Sequence, residues 1–216
     1  EIASCLVGSE MCIRDSSLPA SLRERGIPHV LVLRTDGVSP SALGDDETGG
    51  YLAVRHLLDL GHRDIAVVTG PWFTSSGQDR LRGAQKALAE AGIDLPDGRV
   101  ISTGYGVDAG SEAGYTLLRA EARPTAIFAA NDNLAIGIIG AARNLGILPG
   151  QDLSIVGYND IPLASRLPTP LTSVATSFDQ IATTALDQLL SPQPAGVPIK
   201  RALPSLIPRA STSRIS

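Results

Sequence analysis

Hydrophobic positions along the chain fall into two alternating kinds. Short apolar runs stand at residues 30–33, 65–69, 100–102, 126–129 and 154–157. Among them lie longer stretches of helical period at 51–60, 79–91, 111–122 and 134–145. In the second of these, Leu81, Ala84, Leu88 and Ala91 share one helix face. A short run without polar alternation marks a strand buried on both faces, which arises when helices cover both sides of a parallel sheet. Gly61, Gly92 and Gly146 each follow a helical stretch, where glycine takes the left-handed C-cap conformation at little steric cost. Repeated strand–helix alternation implies right-handed crossovers and a doubly wound α/β fold.

The tail reads differently. Ser177, Phe178, Asp179 and Gln180 form a capping-box pattern that opens a helix through about Leu190. Residues 191–196 are a proline-rich loop, and β-like runs follow at 199–203 and 206–209. The first sixteen residues, EIASCLVGSEMCIRDS, have no clear period and share nothing in style with the rest of the chain. They read as a disordered leader or, preferably, as a cloning or assembly scar to be set aside.

Composition narrows the picture. Hydrophobic residues make up 43% of the 216 and aromatics only 4%, so the core is built from Leu, Ile, Val and Ala. A formal net charge of −4 argues against a nucleic-acid surface spread over this segment. It leaves open a basic DNA-binding module preceding it. Cys5 and Cys12 both lie in the leader, so no disulfide framework or cysteine-based metal site holds the body together, which suits a reducing cytoplasm. No apolar run reaches the ~18 residues of a membrane-spanning helix.

Catalysis and cofactors find little support. His29, His56 and His62 are scattered, without the spacing of metal ligands, and His62, just after a helix-ending glycine, reads as a cap or turn residue. Neither a GxSxG elbow nor a Walker A loop is present. Gly104, Gly106 and Ala109 fit a loose dinucleotide-binding pattern, but this is not the first strand–helix turn of the fold, and no cofactor is expected. Side-chain chemistry instead points to binding. Arg80, at the start of a helix after the loop 70–77, offers a fork of donors suited to vicinal hydroxyls or a carboxylate; the plainer reading is a surface arginine pairing with Asp79 or Glu112. Asn131 and Asp132 follow one strand, and Asn159 and Asp160 another. Capping is the ordinary role of such residues. Residues at the carboxyl ends of strands in an open α/β sheet also face the ligand crevice, and Asn131 can do both.

Eight blocks, in order, resemble the LacI/GalR family of transcription regulators. They are Gly26-Ile27-Pro28 leading into 30–34, DDETGG at 45–50, LGHRDIA at 60–66 with Gly70-Pro71, and RLRG at 80–83. PTAIFAANDNLAIG at 124–137, SIVGYNDIP at 154–162, PLTSV at 170–174 and LIPRASTS at 206–213 complete the set. The resemblance runs from about Ser17 to Ser213. It implies a periplasmic-binding-protein-like fold: two Rossmann-like, doubly wound parallel-sheet subdomains joined by three crossing strands, with the ligand between them. Residues 17–45 and 177–204 would be what remains of an incomplete N-terminal subdomain; residues 46–176 and 205–213 would form the C-terminal one.

The resemblance also implies site roles. It places Arg80 on the cleft, and Tyr105 and Phe178 where aromatic rings pack on the ligand; ordinary packing is the alternative for these rings. Trp72 and Phe73, in the loop before Arg80, can wall the same cleft. Asn159 stands where the family often has an acid, and Leu33 where many sugar-binding members have one, which leaves the ligand class open. The implied protein is a sensor of a small-molecule effector, acting as a homodimer through the helix at 135–142 and the segment 163–167. It would meet DNA only through a helix-turn-helix domain absent from this chain, and would not contact a membrane. The alternative is a periplasmic sugar-binding protein of the same fold, from which LGHRDIA and LIPRASTS lean away. A nicotinamide-dependent oxidoreductase is a third class, for which no binding is expected.

Overall fold

The computed structural model describes residues 18–190 and 199–215. The leader with its two cysteines and the proline-rich loop at 191–196 lie outside them. The larger of two sheets contains β3 (Ile65–Thr69), β4 (Val100–Ser102), β5 (Ala126–Ala129), β6 (Ser154–Asn159), β7 (Thr172–Ala175) and β9 (Ser205–Ile207) in the order β4-β3-β5-β6-β7-β9. All neighbours are parallel except β9, which runs antiparallel to β7.

Every residue of β3 and β5 is buried. Ile65 and Val67 join Leu57, Leu81 and Leu88 in one core; Ala66 and Val68 join Leu117, Leu134 and Ile138 in another. The strand pleat sends alternate side chains to opposite faces, and a helical layer waits on each. That is why the apolar runs carry no polar alternation. Helices α2 (Asp46–Asp59) and α3 (Ser75–Glu90) supply the first layer, α4 (Val107–Leu118) and α5 (Asp132–Asn144) the second. Gly61, Gly92 and Gly146 have φ of 96°, 69° and 75°, the left-handed conformation their sequence positions require.

Helix starts lie earlier than the apolar period indicates: Asp46 rather than Tyr51, Ser75 rather than Asp79, Val107 rather than Ser111. A first turn needs no buried stripe. What fixes it is satisfaction of its free N–H groups, as Asp45 does by accepting from Thr48 N.

The smaller sheet is all parallel, in the order β1-β2-β8: β1 (Leu31–Val32), β2 (Ser41–Gly44) and β8 (Ile199–Ala202). Helix α6 (Phe178–Leu190) packs on it through Ile181 and Ala185, against Ala42 and Ala202. A short α1 (Leu18–Glu24) precedes β1. Neither β2 nor α1 stands out in the sequence. Ser-Ala-Leu-Gly is a poor strand sequence, yet Ser41 is fully buried and its hydroxyl donates to Ser39 O at 2.9 Å. Three connections pass between the sheets: β2 into α2, β7 into α6, and β8 into β9. Asp45 N donates to Ala202 O at 2.8 Å, tying two of them together.

Candidate functional site

Parallel strands deliver the residues that follow them to one edge of the large sheet. Gly70 to Phe73 leave β3, Tyr105 follows β4, Asn131 follows β5, Asn159 ends β6 with Asp160 beyond it, and Phe178 lies past β7. All the expected site residues other than Arg80 thus stand at the carboxyl edge, and Arg80 reaches it from α3.

The α2–α3 packing sets Arg80. A Cβ on Gly83 would lie 1.9 Å from Glu47 O, and one on Gly50 2.0 Å from Arg80 O, so only glycines allow the two backbones so close. Arg80 is buried. Its Nε–H donates to Asp46 Oδ1 at 2.7 Å, its Nη1 to Ala130 O at 2.5 Å, and its guanidinium lies 3.7 Å from the centre of the Tyr158 ring. The surface reading of this residue is therefore corrected: its partner is Asp46, while Asp79 pairs with Arg82. Burial opposes the arginine's charge, but the Asp46 carboxylate beside it prevails and holds the guanidinium above its ordinary pKa. The Tyr158 phenol is pushed up by its own burial and by Asp46, against the pull of Arg80. The pair is charge-neutral; its Nη1 donates to the carbonyl just past β5, and its guanidinium lies over the Tyr158 ring of β6.

Asn131 caps α5: its Oδ1 accepts from Leu134 N at 2.7 Å, and its Nδ2 donates to Tyr105 O at 3.0 Å. Capping and bracing of the Tyr105 loop thus occupy both ends of the amide. The Tyr105 hydroxyl meets Thr74 Oγ1 at 2.9 Å, and its ring lies where a Cβ on Gly70 would be 2.0 Å away, so the ring braces the start of α3. Trp72 and Phe178 are exposed rings, at 56% and 45%.

Asn159 and Asp160 adopt φ of 101° and 53°, consecutive left-handed residues without a glycine. Asp160 N donates to Ser173 Oγ at 3.1 Å, Ile161 N to Asp132 Oδ2 at 2.8 Å, and the Ser173 hydroxyl to Asp132 Oδ1 at 2.6 Å. Asp160 Oδ1 forms a 2.6 Å ion pair with Arg209. Burial raises the pKa of the Asp132 carboxyl, with its hydrogen bonds opposing. Asp46 and Asp132 are the supports that sequence reading missed as such. Each is an acid in the first turn of a helix, which reads as routine helix chemistry until its partner is seen.

Other features lie apart from this edge. A cavity of about 430 Å³ lined by Asp45, Glu47, Tyr51, Asp79, Lys86 and Arg201, among others, contains none of the seven expected residues. The histidines do not converge. His62 does close the helix, its N–H donating to Leu57 O at 3.1 Å just after Gly61, and its ring is buried with Thr125, Ser154 and Ser213 around it. Its contact with the Ser154 hydroxyl, at 2.9 Å, is buried. Among the described residues no group of three or more His, Cys, Asp or Glu is placed to hold a metal, and no helix is long and apolar enough to cross a membrane.

The periplasmic binding protein-like domain model matches residues 54–212. A LacI family transcriptional regulator from Mycobacterium smegmatis superposes with a TM-score of 0.84 at 32% identity, over 91% of this chain and 74% of that one. The chain belongs to the LacI family. A second LacI family structure, from Enterococcus faecium with bound ribose, matches at 29% identity and a TM-score of 0.79, over 93% of this chain and 76% of that one. Among curated relatives, the transcriptional regulator DegA of Bacillus subtilis is 44% identical over 137 residues, which is 63% of this chain and 40% of DegA. The chain thus spans well under half the length of that relative. All three relatives are transcriptional regulators.

Proposed function

We propose that this chain is the effector-sensing core of a LacI-family transcriptional regulator, and that its effector is a small neutral polar metabolite such as a sugar or nucleoside. The carrying observation is the buried Arg80–Asp46 pair at the strand tips, a fixed donor fork without net charge. Asp160 is likewise matched, by Arg209. A crevice whose charges cancel in pairs favours a hydroxyl-rich neutral ligand over an anion, which would find no uncompensated cation among these groups. The ribose held by the Enterococcus faecium relative has that chemistry.

In this reading residues 17–45 with 177–204 form one subdomain and residues 46–176 with 205–213 the other, with the effector between them. Arg80, Asn131, Asn159 and Asp160 supply polar contacts; Tyr105, Trp72 and Phe178 supply ring faces. Effector binding shifts the closure angle of a dimer and so its grip on an operator, through a helix-turn-helix domain outside this chain, in the cytoplasm and without catalysis. In α5 the residues Ala135, Ile138 and Ala142 face the core, so the dimer surface on this helix would be Asn133, Gly140 and Arg143, with the half-exposed Leu163 as the candidate on the segment 163–167.

Calorimetric titration with pentoses, hexoses, disaccharides, nucleosides and their phosphate esters tests this. At least one neutral compound is expected to bind, with affinity falling ~tenfold or more in Arg80→Ala, the cost of a lost charge-assisted hydrogen bond. Binding of the esters alone would overturn the neutral-ligand reading. Binding indifferent to Arg80, or none by any compound, would overturn the site.

A further inference from the structure

Among the described residues three non-glycine residues are left-handed: Leu33, with φ of 63°, and the pair Asn159 and Asp160. Asparagine and aspartate tolerate that conformation, whereas in leucine the Cβ crowds the following carbonyl oxygen. Core packing does not account for the leucine. Leu33 is 40% exposed, and the core of Ala42, Ile181, Ala185 and Ala202, with Val30 against it, leaves it out. Its backbone is held all the same: Leu33 N donates to Ala42 O at 2.9 Å. A strained residue that fills no core points to a role at the surface it stands on.

That surface is a seam between the two sheets. β1 and β2 run parallel with Val32 opposite Ala42, so Leu33 stands level with Leu43, about 4.8 Å from β2, at the carboxyl edge of the smaller sheet. This edge abuts the carboxyl edge of the larger one. A Cβ on Gly44, which ends β2, would lie 3.8 Å from Thr176 Cγ2, just past β7, and the Thr176 hydroxyl lies 3.4 Å from Asn159 Oδ1. Phe178, whose N–H donates to Thr176 O at 2.9 Å, is half-exposed at the same seam. The three left-handed residues thus flank it, Leu33 on one side and the Asn159–Asp160 turn on the other. Polar groups at these tips are largely engaged: Arg80 with Asp46, Asp160 with Arg209, and the Asn131 amide with Leu134 N and Tyr105 O. The large exposed side chains there are apolar: Leu33, Phe178 and, past the tip of β3, Trp72.

We propose that the effector is a sugar bearing an aromatic ring, a nucleoside or an aryl glycoside and not a free sugar, and that Leu33 with Phe178 seats the ring. This deepens the function proposed above and rests on it. A free sugar carries hydroxyls on every side, and each one buried without a partner weakens binding. Replacing the anomeric hydroxyl by a ring removes one such demand and covers exposed leucine and phenylalanine surface instead. Leu33 is then the residue that sets specificity. An asparagine in its place would suit the backbone better and the ring worse.

Calorimetric titration of the 216-residue chain with matched compounds tests this: ribose against adenosine and uridine, and glucose against phenyl β-glucoside. At least one ring-bearing compound is expected to bind ~tenfold or more tightly than its parent sugar, and which one does so separates a nucleobase from an aryl group. Leu33→Asn should lower that compound's affinity about fivefold, the worth of covering the exposed part of a leucine, and leave the parent sugar's affinity unchanged. Its thermal midpoint should equal or exceed that of the unaltered chain, because asparagine tolerates φ of 63°. Phe178→Ala should weaken the same compound selectively. A parent sugar that binds as tightly as its ring-bearing counterpart overturns the proposal and leaves the sensing role standing. A preference for the ring that survives Leu33→Asn, or a loss shared equally by both compounds, also overturns it. So does a Leu33→Asn variant that melts lower or fails to fold, since Leu33 would then be a packing residue. Binding of none of these compounds, nor of any other sugar or nucleoside, overturns the sensing role and the ring together.

Discussion

The Asp46 carboxylate accepts the Arg80 Nε–H at 2.7 Å, with both side chains about nine-tenths buried. Asp46 begins α2, directly after the strand that crosses from the smaller sheet, and Arg80 reaches the tips of β5 and β6. The junction between sheets and the candidate crevice are therefore joined by a single ion pair. Removing one partner of such a pair strands the other charge out of water. Asp46→Ala is expected to cost about 3–5 kcal/mol of stability in urea unfolding, with Asp46→Asn costing less because it keeps an acceptor. A loss under about 1 kcal/mol for the alanine variant would show that Arg80 finds water or another partner.

Helix approach makes that pair possible. A methyl group on Gly83 would meet Glu47 O at 1.9 Å, backbone that cannot turn aside. Gly83→Ala should force α2 and α3 apart and lower stability by about 1–3 kcal/mol, the cost of overpacking, despite alanine's better helix propensity. A thermal melt showing stabilisation would refute the close packing.

Much of this was legible in the sequence. The doubly wound sheet follows from uninterrupted apolar runs between helical ones, and six of the seven expected residues stand at the strand tips where the edge rule puts them, with Arg80 reaching that edge from its helix. The partners were not legible. Nothing local to Asp46 or Asp132 says that its carboxylate turns inward, because the residues that receive it, Arg80 and Ser173, are 34 and 41 positions away. His62 was legible as the residue that closes its helix, but not the partners of its ring: Ser154 and Ser213 lie 92 and 151 positions away. The strand at Ser41–Gly44 was hidden because its burial comes from its sheet neighbours rather than from its own side chains.

Asp36 carries a pH dependence set by its hydrogen bonds. Burial favours its neutral form, but N–H donors from Ser39 at 2.6 Å and Val38 at 2.9 Å, with Arg23 at 2.6 Å, outweigh it and hold the carboxyl far below its usual 3.8. A depressed acid contributes stability that is present above its unfolded value and lost as pH falls through the folded one. The loop between β1 and β2 should therefore keep its protection at about pH 5 and loosen below about pH 4, and Asp36→Asn should loosen it at every pH. Amide exchange at Val38 and Ser39 reads this directly; equal protection in the variant would dismiss the carboxylate's role.

The turn at Asn159 separates backbone strain from side-chain chemistry. At φ of 101° a β-branched residue is badly placed, whereas glycine is not. Asn159→Val is expected to cost about 1–3 kcal/mol and Asn159→Gly to leave stability near the starting value, since the turn is over-determined by Ser173, Asp132 and Arg209. If the amide of Asn159 contacts the effector, both variants lose affinity while only one loses stability. Chemical unfolding alongside calorimetric titration distinguishes the cases. A glycine variant that binds as tightly as the unaltered chain would leave Asn159 a turn residue and nothing more.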